Sequence, residues 1–333
     1  MTAPTQIVAA VPTASRGQRL ERALFRGAAL SIENPAYVRA VRTFIQELLL
    51  ADLSPRDLTV DALRLGGTRA SARIIARETG IVAGLQECAL LMRENQVNVE
   101  YAKQDGDAIA AGEALLRLEG DRGNLLSLER VALNVIQRMS GIASTTRRLG
   151  DRVRSINPGT RVVGTRKTPW GLLDKRALHA GGAGTHRIGL GDAILIKNNH
   201  LALLANSEDQ AARAAIEQAW NSRNVAAFIE VEVRTNRGAI AAAETYRNLR
   251  ERDGASDYPC LLMLDNMDPS RLREAVHELQ RAKLWDSVLI EASGGISEVN
   301  IEAYAATGVD AISVGALTHS PRALDVSETI SSS

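Results

Sequence analysis

Apolar positions along the chain recur with two different periods, and the change between them divides the sequence. From Tyr37 to Leu50 they follow helical spacing, and the turn-rich run from Asp52 to Asp57 ends that helix. Strand-like pieces come next at Ala70–Ala76, Gly80–Ala83 and Val97–Ala102. An Asp-Gly turn signal lies within Lys103–Gly112, and Glu113–Glu119 alternates as a further strand. Ser127 reads as the N-cap of a long helix, with Glu129 suited to its positive first turn. Leu128, Val131, Ala132, Val135, Ile136 and Met139 form one apolar stripe along that helix.

Beyond the long helix the pattern becomes a repeated alternation of strand and helix. β-Branched, apolar runs occur at Arg161–Thr165, Asp192–Lys197, Ala226–Val233, Cys260–Asp265, Ser287–Glu291 and Asp310–Val314. Their starts are 31, 34, 34, 27 and 23 residues apart, close to the ~30 that a βαβ unit needs. Helical stretches at Gln210–Trp220, Arg237–Arg252 and Pro269–Leu279 fill several of the gaps. Such an order predicts a parallel sheet covered by helices, either closed into a barrel or left as an open doubly wound sheet.

Composition narrows the class. The 333 residues suggest two domains, and 45% hydrophobic with 24% charged residues describes a globular chain. Aromatics are only 3%, so the core has to be built from Ala, Leu, Val and Ile. A net charge of +1, from 40 basic and 39 acidic side chains, argues against a nucleic-acid-coating protein. Apolar runs such as Leu48–Ala51 fall far short of the ~20 residues that span a bilayer. The two cysteines, Cys88 and Cys260, are 172 positions apart, which makes no disulfide framework or metal cluster and fits a reducing cytoplasm. Ile7–Val11 is too short and wrongly flanked for a signal peptide, so residues 1–16 read as a mobile leader and Ser331–Ser333 as a loose end.

The residues at the end of each strand favour the barrel. The first strand runs into Thr165-Arg166-Lys167-Thr168, and the second into Lys197-Asn198-Asn199-His200, with His186-Arg187 just before it. The third carries Glu230 and Glu232, and the fourth ends in Asp265-Asn266. The last two run into Ser293-Gly294-Gly295 and into Gly315 through Ser320. Carboxyl ends of parallel strands are where α/β folds bind ligands, and a barrel gathers all of them at one mouth. Arg166, Lys167, Arg187 and Lys197, with His186 and His200 as lesser candidates, would be a cationic cluster for an anion. Glu232 and Asp265 are acceptors for a metal ion, sugar hydroxyls or a developing cation. Glu230 shares a strand face with Glu232, and the residue nearer the mouth is the stronger candidate. The glycine loops would cradle phosphate through bare backbone N–H groups.

Other features read as structure. The sheet around residues 97–119 is similar to the half-barrel of lipoyl carriers but lacks a modifiable Lys at a hairpin tip. Gly181-Gly182-Ala183-Gly184 comes after a helical run and lacks dinucleotide-loop spacing. His179 and His277 fall within helices, and both cysteines read as buried packing residues.

The motifs together resemble the quinolinate phosphoribosyltransferase family. They are Glu129-Arg130 with Asn134, Ser140–Ala143, Thr165–Thr168, His186-Arg187, Asp192 through His200, Glu230–Val233, Leu264–Asn266 and Ser293–Ile296, in the family's order over about residues 35–325. The resemblance implies an incomplete TIM-like α/β barrel with an N-terminal α/β sandwich domain. Residues 1–24 would be a leader and first helical segment, 25–130 the sandwich, 131–320 the barrel and 321–333 a C-terminal tail. It implies a phosphoribosyl transfer from phosphoribosyl pyrophosphate to quinolinate with Mg2+ as cofactor, in NAD biosynthesis. By position, Arg166, His186, Arg187 and Lys197 would hold the quinolinate carboxylates, with Arg130 supplied by the partner of a homodimer. Lys167, Glu232 and Asp265 would meet the phosphoribosyl substrate, and the two acids would bind the metal directly or through water. Ser293, Gly294, Gly295 and Gly315 would line the 5′-phosphate site. The chain departs from the family pattern at the short Thr168–Asp174 segment carrying Trp170, at Gly181–Gly184 and at Asn198. The alternatives are a molybdenum-transport-associated paralogue of the same fold, a Schiff-base aldolase barrel using Lys197, and a non-catalytic metabolite-binding subunit. The full set of cations speaks against the paralogue, and the arginine cluster suits a Schiff-base lysine poorly.

Overall fold

Ser15 opens the first helix with a capping box, and helix α1 runs from Arg16 to Leu24 in a computed structural model that describes residues 14–255 and 257–332. The sequence then builds α2 (Pro35–Asp52), α3 (Leu58–Ala62), strands β1 (Arg69–Ala76) and β2 (Gly80–Ile81), and α4 (Leu85–Glu94). Strands β3 (Asn98–Tyr101), β4 (Ala108–Ile109) and β5 (Ala114–Asp121) come after them. The alternation in β1 turns Ala70, Ala72, Ile74 and Ala76 inward, so one face of its sheet is apolar.

β5 feeds directly into the longest element, α5 (Arg122–Ile156). This differs from the start expected at Ser127. The Asp121 carboxylate accepts the amides of Gly123 (2.9 Å) and Asn124 (3.2 Å) and is the true N-cap. Ser127 lies within the helix and donates to Asp57. The apolar stripe is buried as expected. Two hydroxyls on α5 dock β2 and the residues after it: Ser144 bonds the amide and carbonyl of Ile81, and Ser140 those of Ala83.

Strands β6 (Arg161–Val163), β7 (Ile194–Ile196), β8 (Ile229–Val233), β9 (Cys260–Asp265), β10 (Leu289–Ser293) and β11 (Ala311–Ser313) alternate with helices. These are α6 (Leu172–Ala180), α7 (Asn198–Leu201), α8 (Glu208–Trp220), α9 (Asn236–Arg252), α10 (Pro269–Arg281), α11 (Ile301–Ala305) and α12 (Ala316–His319). The six strands are parallel in the order β6-β11-β10-β9-β8-β7. Every neighbouring pair around the ring is bonded except β6 and β7, so the barrel is incomplete at one seam. Gly184 bridges to Val163 beside that seam. A Cβ at Gly184 would lie 2.8 Å from Val163 and 2.9 Å from the Leu24 carbonyl, so only glycine permits the approach.

Helix α1 plugs the amino-terminal end of the barrel. Leu20, Ala23 and Leu24 pack on Val163, Ala193, Phe228, Leu261, Leu289 and Ala311. Arg16 pairs with Asp310 and stacks 3.7 Å over the Trp285 ring. The expected leader therefore ends earlier than residue 16: Ala14 is tied to Asp257 and Ser15 caps the helix, while residues 1–13 lie outside the described residues. The C-terminal segment also differs from a loose tail. Val326–Ser332 forms β12, antiparallel to β1 with Ala76 opposite Val326 and Ala70 opposite Ser332. An unpaired β1 edge would leave its backbone groups unsatisfied, and β12 completes the sheet β12-β1-β5-β3. Cys88 and Cys260 are free and buried, as expected. Among the described residues no helix is long and apolar enough to cross a membrane.

Gly141 lies where α5 meets the chain entering β12, and a Cβ there would sit 1.9 Å from the Arg322 carbonyl oxygen. Gly141→Ala is expected to lower unfolding free energy by about 2–3 kcal/mol through overpacking. Gly17→Ala, with open space around it, should not; urea unfolding of both variants checks this.

Candidate active site

The carboxyl ends of the barrel strands surround a cavity of about 470 Å³. Ten residues expected at the site line it: Arg166, Lys167, His186, Arg187, Lys197, Glu232, Asp265, Ser293, Gly294 and Gly295. Leu195, Met263 and Ser313 add wall from the intervening strands. A larger hollow of about 930 Å³ lies beside α1 at the other end, where Arg16 and Asp310 are already paired with each other. The chemically open groups are at the mouth.

The Arg166–Thr168 loop is held from below. Asp174 is fully buried and receives two hydrogen bonds from Arg138, at 2.8 and 3.0 Å. It also accepts from the Thr168 hydroxyl and the Trp170 amide. Thr318 donates to the Lys167 carbonyl, joining α12 to the same loop. Trp170 packs between Phe44 and Arg138, each 5.0 Å from its ring, and stays out of the cavity wall.

Arg187 is largely buried, and its Nε has no hydrogen-bond partner among the described residues. Burial, and then the Arg166 charge, lower its pKa, which is the mark of a cation held out of water for an anion. Burial and Arg166 also bring Lys175 down to about 8; its Nζ donates to the Thr185 carbonyl.

His186 reaches the cavity wall in an unexpected way. Its backbone is left-handed, with φ of +54°, uncommon for a residue with a Cβ. Nδ1 accepts the Arg187 amide at 2.7 Å, while Nε2 lies 3.0 Å from Glu230 and 3.2 Å from Glu291. Both ring nitrogens thus face protein groups, whereas a direct hold on a substrate carboxylate was expected. Burial raises Glu230 to about 7, with Glu291 adding to the effect. Burial by itself lowers the imidazole pKa, but the charges of Glu291 and Glu230 outweigh it and raise it to about 10.

The two acids at the mouth are close enough to feel each other: burial, and then Asp265, raise the Glu232 pKa. Arg234 donates through Nε and Nη2 to Asp265, at 3.0 and 2.9 Å, and its guanidinium is 3.9 Å from Glu232. Asn266 also donates to Asp265. A Cβ on Gly294, whose φ is +93°, would fall 2.4 Å from Asn266 Oδ1, so that glycine lets the two loops approach. The hard oxygen pair fits a divalent cation such as Mg2+, whose charge would relieve the mutual repulsion.

Three expected residues stand apart from the cavity wall. Gly315 adjoins Lys167, with a Cβ position 3.2 Å from its side chain. His200 accepts the Lys197 amide and caps the short α7. Arg130 projects from α5 with its side chain half exposed, 3.9 Å from Glu129. Arg234, Asn266 and Glu291 were not singled out. Arg234 could have been found, since it sits directly after β8; Glu291 is an acid within an apolar run, which is its own signal.

Sequence comparison decides what this arrangement belongs to. The model of the quinolinate phosphoribosyl transferase C-terminal domain matches residues 142–328, and that of its N-terminal domain residues 57–140. The chain belongs to the quinolinate phosphoribosyl transferase family. It is 41% identical over 285 residues to a probable nicotinate-nucleotide pyrophosphorylase (carboxylating) of Methanothermobacter thermautotrophicus, covering 85% of this chain and 96% of that one. The nicotinate-nucleotide pyrophosphorylase (carboxylating) of Mycobacterium leprae is 36% identical over 296 residues, covering 86% and 96%. The solved nicotinate-nucleotide pyrophosphorylase of Francisella tularensis superposes with a TM-score of 0.73 at 29% identity, over 88% of this chain and 96% of that one. The two family segments meet at residue 141, inside α5, and the boundary expected after residue 130 also falls within that helix. One continuous helix therefore belongs to both family domains.

Asp174→Ala would leave the Arg138 guanidinium without its carboxylate, with the Thr318 carbonyl and the Trp170 ring still beside it. The expected cost is about 3–5 kcal/mol of stability, with faster amide exchange across residues 165–171 by hydrogen-exchange mass spectrometry.

Proposed function

We propose that this chain transfers a phosphoribosyl group from 5-phosphoribosyl 1-pyrophosphate to quinolinate, with loss of one carboxylate. The products are nicotinate mononucleotide, pyrophosphate and carbon dioxide, and the class is nicotinate-nucleotide diphosphorylase (carboxylating), a pentosyltransferase. One observation carries the reading: a single cavity gathers Arg166, Lys167, Arg187 and Lys197 with Glu232 and Asp265. Both substrates are polyanions, and positive charge develops first on the sugar and then on the pyridine ring.

The chemistry is a consequence of that distribution. The bond from ribose C1 to pyrophosphate breaks with its electron pair on the departing oxygen. Lys167 neutralises the leaving group, and Glu232 and Asp265 favour the sugar cation. Arg166, Arg187 and Lys197 receive the quinolinate carboxylates and hold the pyridine nitrogen toward C1, so catalysis is positioning with electrostatics. The nitrogen bonds to C1, and the resulting ring cation takes up the electron pair as the adjacent carboxylate leaves as carbon dioxide; that ring carbon then gains a proton. Ser293, Gly294, Gly295 and Gly315 offer backbone N–H groups to the 5′-phosphate. Mg2+, when bound, offsets the charge of the pyrophosphate, and Glu232 and Asp265 would hold it directly or through water.

Arg130 supports a homodimer in which each subunit completes the other's mouth, because its guanidinium is exposed and away from its own cavity. Two free, buried cysteines and the balanced charge accord with a cytoplasmic enzyme.

Protein mixed with Mg2+, quinolinate and phosphoribosyl pyrophosphate should yield nicotinate mononucleotide by chromatography; no product would sink the reading. Arg187→Ala should weaken quinolinate binding by about 2–3 kcal/mol and leave phosphoribosyl pyrophosphate binding nearly unchanged in calorimetry. Arg130→Ala and Lys197→Ala should each be inactive, yet reassociated as mixed dimers they should regain about one quarter of the activity, since half the dimers carry one intact mouth.

A further inference from the structure

Beside the two acids of the mouth lies a cation that the proposed reaction does not use. Arg234 follows β8 directly, and its guanidinium crosses to the end of the neighbouring strand, β9. There Nε and Nη2 both donate to Asp265 Oδ2, at 3.0 and 2.9 Å. Asn266 Nδ2 donates to the same oxygen at 2.8 Å. The guanidinium also lies 3.9 Å from Glu232. Arg234 thus faces both members of the pair assigned to the divalent ion.

A carboxylate oxygen offers about two lone-pair sites, and three donors already aim at Oδ2. An ion that meets this oxygen, directly or through a water that donates to it, needs one of those sites. Arg234 and the ion therefore compete for Asp265. The arginine is the partner free to leave: its side chain is 51% exposed against 12% for that of Asp265. It also stands outside the cavity wall, so it can withdraw without crossing the space of the substrates.

The base of the side chain is fixed while its tip is in water. Glu208 accepts the amides of Arg234 and Thr235, at 2.9 and 3.0 Å, and Arg271 donates to the Arg234 carbonyl at 2.9 Å. Thr235 in turn caps α9 by accepting the Gly238 amide. A change of rotamer then moves the guanidinium and leaves the loop in place. Mg2+ gives up its waters reluctantly and binds through one or two carboxylates together with substrate phosphates. An ion carried on a diphosphate brings those extra contacts to the competition, and a lone ion does not.

We propose that Arg234 is a placeholder for the divalent ion: it neutralises the Glu232–Asp265 pair, keeps a lone ion off Asp265, and withdraws when the ion arrives on the diphosphate of the substrate. The inference rests on the two acids being the ion's site, as in the reaction proposed above. An arginine that instead orients Asp265 for the ion predicts the opposite sign, because loss of such an outer partner weakens metal binding by about 10–100-fold.

Mn2+ titrated into the full chain without substrates, with the free ion followed by electron paramagnetic resonance, reads that sign. Arg234→Ala should tighten Mn2+ binding by about tenfold or more, since it removes a unit charge beside the site. Adding Asp265→Asn should abolish the gain. Arg237→Ala removes the same charge from an exposed arginine paired with Asp209 and should change the affinity by less than about twofold. Arg234→Ser leaves the Thr235 cap intact, serves if the alanine variant does not fold, and should gain as much. Weaker or unchanged Mn2+ binding in the Arg234 variants overturns the proposal. So does a gain that survives Asp265→Asn, or one that Arg237→Ala matches. The expected gain in a protein that makes no nicotinate mononucleotide would keep the role of Arg234 and defeat the reading of the reaction instead.

Discussion

Four cationic side chains held around one mouth repel each other, and much of the barrel is arranged to contain that repulsion. Burial lowers the pKa of Arg187, and the Arg166 charge lowers it further. The same two causes act on Lys175. The opposing charge comes from inside and beside the barrel: Glu230 and Asp192 act on Arg187, and Asp192 and Glu291 on Lys175. Glu230 and Glu291 come from alternate strands, β8 and β10, as side chains in one layer of a barrel interior do. An apolar layer at that level would leave the cations uncompensated, and an exposed one would screen them. The site is thus a stack: α1 and apolar residues at the bottom, buried acids above them, and cations at the rim.

That stack also explains the incomplete ring. β6 and β7 do not pair, and the segment from Gly184 to Arg187 occupies the region between them. A closed ring would need a strand there, with its backbone committed to a regular ladder. The open seam instead admits a left-handed residue, His186, whose amide reaches Leu24 of the plug. Helix α1, remote from the chemistry, is in this way two hydrogen-bonding steps from Arg187. The N-terminal sheet acts more indirectly, through α5, whose Arg138 grips Asp174 beneath the Arg166–Thr168 loop.

Parallel strands of a βαβ chain are buried on both faces, so β9 reads as an apolar run up to Asp265, whereas β8, buried at every position, is interrupted by Glu230 and Glu232; the carboxyl ends of both could be marked from the sequence alone. The residues at those ends, from Arg166 to Asp265, came together for that reason. Cys260–Asp265 and its helix were legible almost to the residue because period and length agree there. Boundaries set by a cap were less so: Asp121 starts α5 from the last position of a strand, where no apolar period announces a helix. β12 was illegible because pairing with β1 is a contact across most of the chain length, and a short polar segment carries no sign of its partner.

Local patterning therefore determined the order of elements, the parallel barrel and the set of charged residues at its mouth, because each depends on neighbours a few positions away. Only the tertiary structure decided how those charges are used. It turned both nitrogens of His186 toward protein, laid Arg234 across Asp265 and kept Arg130 out of its own cavity. Side-chain direction at a rim is set by what packs beneath and across it, and those partners lie tens to hundreds of residues away in sequence.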